Sequence, residues 1–186
     1  MTTNINWPEL SAVHTIVYDF DGVFTDNKVY LNKEGDEWVC CNRSDGLGFN
    51  ILKSYQLKHD LQFHQMILSK EKNPVVLARA KKLEIDCHHG ISNKKQYLEK
   101  YLKDKVPDND LFSGLVYLGN DLNDLPMIKS AGFSVAPNDA HDIVKNSASV
   151  VLKTVGGQGF IRDFIEYLIN LHDMSPEEID ELICNS

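Results

Sequence analysis

Apolar residues along this chain fall into two alternating kinds of segment: short continuous runs, and longer stretches in which they recur every three or four positions. The runs at 14–18, 63–68, 115–118, 133–136 and 149–152 have the length of buried strands. The stretches 46–57, 73–83, 94–103, 123–130, 140–147, 159–172 and 176–184 read as amphipathic helices. Such alternation predicts an α/β fold, a Rossmann-like doubly wound parallel sheet with helices on both faces. Ser175-Pro176-Glu177-Glu178 opens the last helix with a hydroxyl N-cap, a proline at the first helical position and a glutamate placed to close a capping box. One interruption follows the first strand. Lys28-Val29-Tyr30-Leu31 and Glu37-Trp38-Val39-Cys40 flank Asn32-Lys33-Glu34-Gly35-Asp36, which predicts a β-hairpin over 28–41. It is either a flap above the end of the first strand or an edge hairpin with packing duties only. Nothing reads as a linker or repeat, so 1–186 is expected to be a single domain with 157–186 as a helical tail.

Composition narrows this picture. A chain of 186 residues, 42% hydrophobic, has enough apolar surface for one sizeable core. A net charge of −8 without any long basic run argues against nucleic acid as a partner. The apolar runs fall far short of the roughly 20 residues a membrane helix requires, so no membrane partner is expected. Four cysteines, Cys40, Cys41, Cys87 and Cys184, show no C-x-x-C spacing, and no secretory leader is read before them. Reduced thiols in a cytoplasm are the simplest reading.

The candidate chemistry sits where strands stop. The first run ends directly in Asp19-Phe20-Asp21-Gly22-Val23-Phe24-Thr25-Asp26. A carboxylate at the end of a central strand can coordinate a hard cation with one oxygen and aim the other at an electrophile; the residue two further on projects the same way. Gly22 lets the chain turn sharply out of the sheet. In this reading Asp19 is a nucleophile and Asp21 a general acid and base. In the plainer reading the string is a strand followed by an Asp-Gly turn. A second run ends the same way, Leu115-Val116-Tyr117-Leu118-Gly119-Asn120-Asp121-Leu122-Asn123-Asp124, where oxygen ligands for magnesium or a helix N-cap are both possible. Ser69 closes a third run and Lys94 opens a helix, a hydroxyl and an ammonium of the kind a transferring phosphoryl group needs. Singly, each would be a turn residue or a solvated lysine; the four segments together form one constellation.

These residues, as D-x-D-G-x-x-T-D at 19–26, Ser69, Lys94 and G-N-D-x-x-D at 119–124, resemble the haloacid dehalogenase superfamily of phosphohydrolases in the usual order of its motifs. The resemblance spans nearly the whole chain. It is closest to the small cap-less branch of 3-deoxy-octulosonate 8-phosphate and nonulosonate 9-phosphate phosphatases, through Arg43-Ser44-Asp45-Gly46-Leu47-Gly48, Leu68-Ser69-Lys70-Glu71-Lys72-Asn73-Pro74 and Gly156-Gly157-Gln158-Gly159. It implies a homotetramer in which hairpins and neighbouring subunits replace a cap, a sugar-acid phosphate as substrate, and Mg2+ as cofactor. It further implies Asp19, Asp21 and Asn120 as metal ligands, Asp121 and Asp124 as supporting acids, and Ser69 and Lys94 as phosphate grips, and it brings in Arg43 and Gly46 as substrate-binding positions through the string quoted above. From the residues themselves, Glu71 is a substrate-binding candidate that can accept from a sugar hydroxyl or amine, and Arg79 and Lys82, a helical i, i+3 pair, either meet a substrate carboxylate across a subunit boundary or are solvated helix charges.

Two departures matter. Asn120 stands where many members carry aspartate, which removes one negative charge from the metal site. Ser69-Lys70-Glu71 replaces the T-G-R string of octulosonate enzymes, changing charge and bulk at the pocket mouth. The first tilts the substrate toward nonulosonates; the second means that substrate choice cannot be copied from the octulosonate enzymes. The first also supports a rival, a catalytically weakened scaffold that tetramerises and associates with an acylneuraminate cytidylyltransferase. A phospho-receiver domain is disfavoured because Asp21 would have no role in one. The glycines at 156–159 read as a flexible turn that lets Arg162 reach a neighbouring subunit, or as a plain loop; His88-His89 read as surface or strand-end residues.

Overall fold

The computed structural model describes residues 5–106 and 110–184. In chain order its strands are β1 (Thr15–Tyr18), β2 (Tyr30–Leu31), β3 (Glu37–Trp38), β4 (His64–Leu68), β5 (Asp86–His88), β6 (Leu115–Leu118), β7 (Phe133–Ala136) and β8 (Val150–Val151). The helices are α1 (Arg43–Lys58), α2 (Val75–Leu83), α3 (Lys94–Lys103), α4 (Leu125–Ile128), α5 (Asp142–Lys145), α6 (Phe160–Leu168) and α7 (Pro176–Cys184). Six strands form one parallel sheet in the order β5-β4-β1-β6-β7-β8, and β2-β3 stand apart as an antiparallel pair. The chain runs outward from β1 to β4 on one side, then returns to β6 on the other. The carboxyl end of β1 is therefore the switch point of the sheet, where crevices open in doubly wound folds.

The continuous apolar runs are explained by burial on both faces. Ile16 and Tyr18 point into a core completed by Phe49, Ile51 and Leu52 of α1, Phe160, Phe164 and Ile165 of α6, and Leu182 of α7. Val17 between them points the other way, into a cluster with Met66, Leu98 and Leu102, Met127 and Val144. Every residue of β1, β6 and β7 is buried. Each large side chain among them contributes roughly 1.5–3 kcal/mol of transfer free energy, which holds the strand ends in place. The predicted capping box of α7 forms: Glu178 N–H donates to Ser175 Oγ at 3.2 Å and Ser175 N–H to Glu178 Oε2 at 2.8 Å.

Several elements differ from expectation, among them α4 and α5, single turns at Leu125–Ile128 and Asp142–Lys145 where helices over 123–130 and 140–147 were expected. α1 starts at Arg43 rather than 46, because Asn42 accepts the N–H of Ser44 as an N-cap. The stretch expected as one helix over 159–172 breaks at Asn170, which adopts a left-handed conformation (φ 54°) before a 3-10 turn at Leu171–Asp173. α6 packs along α1 as one wall of the core. β5, a short strand on the sheet edge beside β4, was not expected from the sequence.

Candidate active site

The segment after β1 leaves the sheet through a turn that its own side chains lock. Asp19 N–H still donates to Leu118 O of β6 at 2.9 Å, so the first carboxylate is fixed by the sheet itself. Thr25, fully buried, accepts the N–H of Gly22 and of Asn27 on its Oγ1, both at 3.2 Å. Gly22 has φ 78°, and a Cβ there would lie 1.9 Å from Asn120 Nδ2, so glycine is required for both conformation and space. Gly156 supports the same turn from below: a Cβ on it would fall 2.0 Å from Gly22 O. The glycine string at 156–159 is thus a close backbone approach under the acidic loop. Arg162 beyond it is engaged within its own chain, through Glu166 and through its backbone N–H to Asp45.

The ends of β1, β4 and β6 and the start of α3 bring the predicted residues together. Lys94, the first residue of α3, is 4% exposed and its Nζ lies 2.6 Å from both Asp19 Oδ1 and Asp124 Oδ1. Asp124, fully buried, also accepts the Tyr117 hydroxyl at 2.6 Å on Oδ1, and the N–H groups of Asn120 (3.0 Å) and Asp121 (3.3 Å) on Oδ2. It therefore organises the 119–124 loop and the lysine together. Ser69 is buried at the end of β4, its N–H on His88 O and its Oγ accepting the N–H of Glu71. Asp19, Asp21, Asn27, Ser69, Lys70, Glu71, Asn120 and Asp121 line one cleft of about 640 Å³. A smaller recess of about 240 Å³ adjoins it between the hairpin and the β4–α2 loop, sharing Asp21, Asn27 and Glu71 and adding Glu37, Asn73 and three valines.

Arg43, Gly46 and Arg79 do not line either space. Arg43 is exposed at the start of α1, Gly46 lies on that helix facing Leu83, and Arg79 of α2 donates from Nη2 to Asn42 O at 2.9 Å. Glu71 lines the cleft while its Oε1 accepts the N–H of Lys72 and Asn73, which shapes its own loop. Asp121 is exposed at the rim and Asp124 is buried behind the lysine. Sequence reasoning missed three contributors. Tyr117 read only as a buried strand residue. Thr25 was part of a motif without a role of its own. Asp45, buried near the start of α1, caps the start of α6 by accepting Arg162 N–H at 3.1 Å.

Charge follows from this packing. Burial, reinforced by Asp124, pushes the Asp19 carboxyl up to about 8, and Lys94 only partly counters it. Burial and the carboxylate of Glu71 also raise Asp21, as suits a group that must carry a proton to a leaving oxygen. Burial opposes charge on Lys94, but Asp19 and Asp124 outweigh it and hold the ammonium protonated. The site is short of positive charge. Asn120 Oδ1 is buried without a hydrogen-bond partner beside Asp19, an orphan acceptor of the kind a cation satisfies. Among the described residues no three His, Cys, Asp or Glu side chains are grouped to hold a metal unaided. The oxygen donors available are a carboxylate, an amide and the main chain at Asp21, a hard set suited to Mg2+.

An acid pair at the switch point of a parallel sheet, with a lysine and a hydroxyl beside it, is an arrangement suited to a hydrolase that works on phosphorus. Comparison with known proteins agrees. Residues 9–162 match the family model of haloacid dehalogenase-like hydrolases, and the chain belongs to that family. The 3-deoxy-D-manno-octulosonate 8-phosphate phosphatase KdsC of Escherichia coli (strain K12) is 30% identical over 162 residues, 84% of this chain and 79% of that one. N-acylneuraminate cytidylyltransferase A of Danio rerio is 25% identical over 91% of this chain but only 38% of its own length. Among solved structures, the cobalt-bound deoxy-D-mannose-octulosonate 8-phosphate phosphatase of Haemophilus influenzae superposes with a TM-score of 0.73 at 26% identity, covering 87% of this chain and 90% of that one. Within the family this chain stands with the phosphoric monoester hydrolases. No helix among the described residues is long and apolar enough to cross a membrane.

Proposed function

We propose that this chain is a Mg2+-dependent phosphatase of sugar-acid phosphates, with a nonulosonate 9-phosphate or a 3-deoxy-octulosonate 8-phosphate as substrate. The observation that carries the reading is Lys94 held at 2.6 Å from Asp19, in a cleft where Asn120 offers an unused buried oxygen. Lys94 and the Ser69 hydroxyl grip the phosphoryl oxygens and turn phosphorus toward Asp19. An Asp19 oxygen attacks in line: the Asp19 O–P bond forms, the P–O bond to the sugar breaks, and the departing oxygen takes its proton from Asp21. Asp21, now ionised, removes a proton from water as that water attacks the aspartyl phosphate, releasing inorganic phosphate and restoring both carboxyl groups. Asp19, the Asp21 main chain and Asn120 would hold Mg2+, which would supply the positive charge that keeps Asp19 ionised and neutralises the phosphoryl group.

The substrate-selecting walls lie on the hairpin side. Val29, Tyr30, Leu31 and Trp38 of the hairpin are between 53% and 69% exposed, with Tyr30 paired to Trp38 across its strands and Val29 lining the recess. In the assembly we propose, a homotetramer, neighbouring copies cover that surface and close the cleft over the substrate. The four free cysteines fit a reducing cytoplasm.

Phosphate release tests this directly: octulosonate 8-phosphate, nonulosonate 9-phosphates and hexose phosphates are assayed with Mg2+ and with chelator, using Asp19→Asn as the blank. Magnesium-dependent release from a sugar-acid phosphate supports the reading; release from none of them overturns it. Asn120 favours a second reading, a weakened scaffold partnered with a cytidylyltransferase. In the phosphatase reading Asn120→Asp lowers the Mg2+ concentration for half-saturation about tenfold with modest change in kcat. A variant that switches on turnover absent from the natural chain favours the scaffold.

A further inference from the structure

We propose that Tyr117 is a positioning residue for catalysis, its hydroxyl setting the charge that Asp124 presents to Lys94. The inference rests on the phosphatase reading above. Tyr117 is fully buried in the middle of β6, between Val17 of β1 and Ser134 of β7, and packs in the apolar cluster with Met66, Leu98 and Met127. Phenylalanine would fill that place without carrying a polar atom into it, and a buried hydroxyl is costly unless bonded. Among the described residues the hydroxyl has a single partner, Asp124 Oδ1 at 2.6 Å.

That oxygen is the one Lys94 also uses. The other oxygen of Asp124 holds the backbone N–H groups of Asn120 and Asp121. Tyr117 thus takes a share of one oxygen's charge from inside the core, while Lys94, itself buried, links the same oxygen to Asp19. With the share taken, Lys94 stands equally close to Asp19 and Asp124, at 2.6 Å from each, and can follow charge onto the phosphoryl oxygens as Asp19 is consumed. Without the hydroxyl, Asp124 holds the lysine more strongly, and the cost falls where phosphoryl charge is greatest.

The test is Tyr117→Phe, read by steady-state kinetics in Mg2+ and by binding of orthovanadate and inorganic phosphate. Loss of one hydrogen bond to a charged group predicts kcat lowered roughly ten- to hundredfold with KM little changed. Vanadate binding should weaken by a similar factor while phosphate binding changes little; a loss of packing alone would not separate the two anions. In an Asp124→Asn background the same substitution should have almost no further effect, because the charge it shares is gone. Unchanged kcat, an unchanged vanadate-to-phosphate ratio, or fully additive losses would each overturn the proposal. A natural chain that releases no phosphate from any substrate would instead overturn the phosphatase reading beneath it.

Discussion

The turn after β1 and the hairpin that follows it are neighbours in sequence and opposites in construction. From Asp19 to Thr25 every residue except Asp21 is buried, and Gly156 presses against the turn so closely that a single Cβ would not fit. The hairpin pairs two residues per strand and carries Tyr30 and Trp38 at 60% and 69% exposure. Its ties to the body include the Thr25–Cys41 bridge and one hydrogen bond from Asn73 Nδ2 to Glu37 Oε2 at 3.2 Å. Chemistry that depends on charge held in place needs the first kind of structure, since preorganised groups need no rearrangement as the reaction proceeds. Recognition of a varied substrate, or of a second copy, can use the second.

The comparison breaks most easily at the acid pair. Asp19→Asn should lower turnover at least about a thousandfold, and Asp21→Asn about a hundred- to ten-thousandfold, with thermal unfolding little changed. Retention of more than about a tenth of the rate by either would show that the rigid loop does not carry the reaction. Gly156→Ala should destabilise the fold by about 3 kcal/mol, measured by denaturant unfolding, because the contact it creates is with backbone and has no rotamer to yield. A neutral result would mean that the loop has slack.

Asp45 gives a pH signature to the rigid half. Burial raises its carboxyl to about 6, above an unfolded value near 4, so its contribution is complete at low pH and is lost as pH rises through 6. Between pH 4 and 7 the natural chain should therefore lose ~2 kcal/mol that Asp45→Asn does not lose. Parallel pH–stability curves would show that burial does not raise the Asp45 carboxyl against the N–H groups it accepts. The hairpin should answer differently: Trp38→Ala leaves monomer unfolding within about 0.5 kcal/mol, yet raises KM several-fold and shifts the assembly toward smaller species in sedimentation. A large stability loss with assembly intact would make the hairpin a packing element.

The central strands were legible because burial on both faces leaves uninterrupted apolar runs, and the acidic cluster was legible because D-x-D and G-N-D stand where two such runs stop. β5 was not. Asp86-Cys87-His88 is three residues on an edge, half-exposed, and carries no apolar run. The break in the final helical stretch depends on Asn170 adopting a left-handed conformation, a choice the helical periodicity of its neighbours hides. Arg43 and Gly46 entered through family resemblance and Arg79 through its helical spacing from Lys82; all three lie off the cleft of a single chain, where spacing alone has nothing to say about a neighbouring copy. Tyr117 shows the deeper limit. Periodicity reports that a side chain is buried, but which oxygen its hydroxyl meets depends on a loop seven residues later folding back over it.

The nucleophile is the central claim, and trapping it tests that claim most directly. Asp21→Asn treated with p-nitrophenyl phosphate and Mg2+, whose leaving group needs no proton, should accumulate the aspartyl phosphate, because hydrolysis has lost its base. Acid quench and peptide mass spectrometry should place one phosphoryl group on Asp19 and none in the Asp19→Asn, Asp21→Asn double variant. A phosphoryl group on another residue, or release of phosphate at the natural rate with no covalent species, would contradict it.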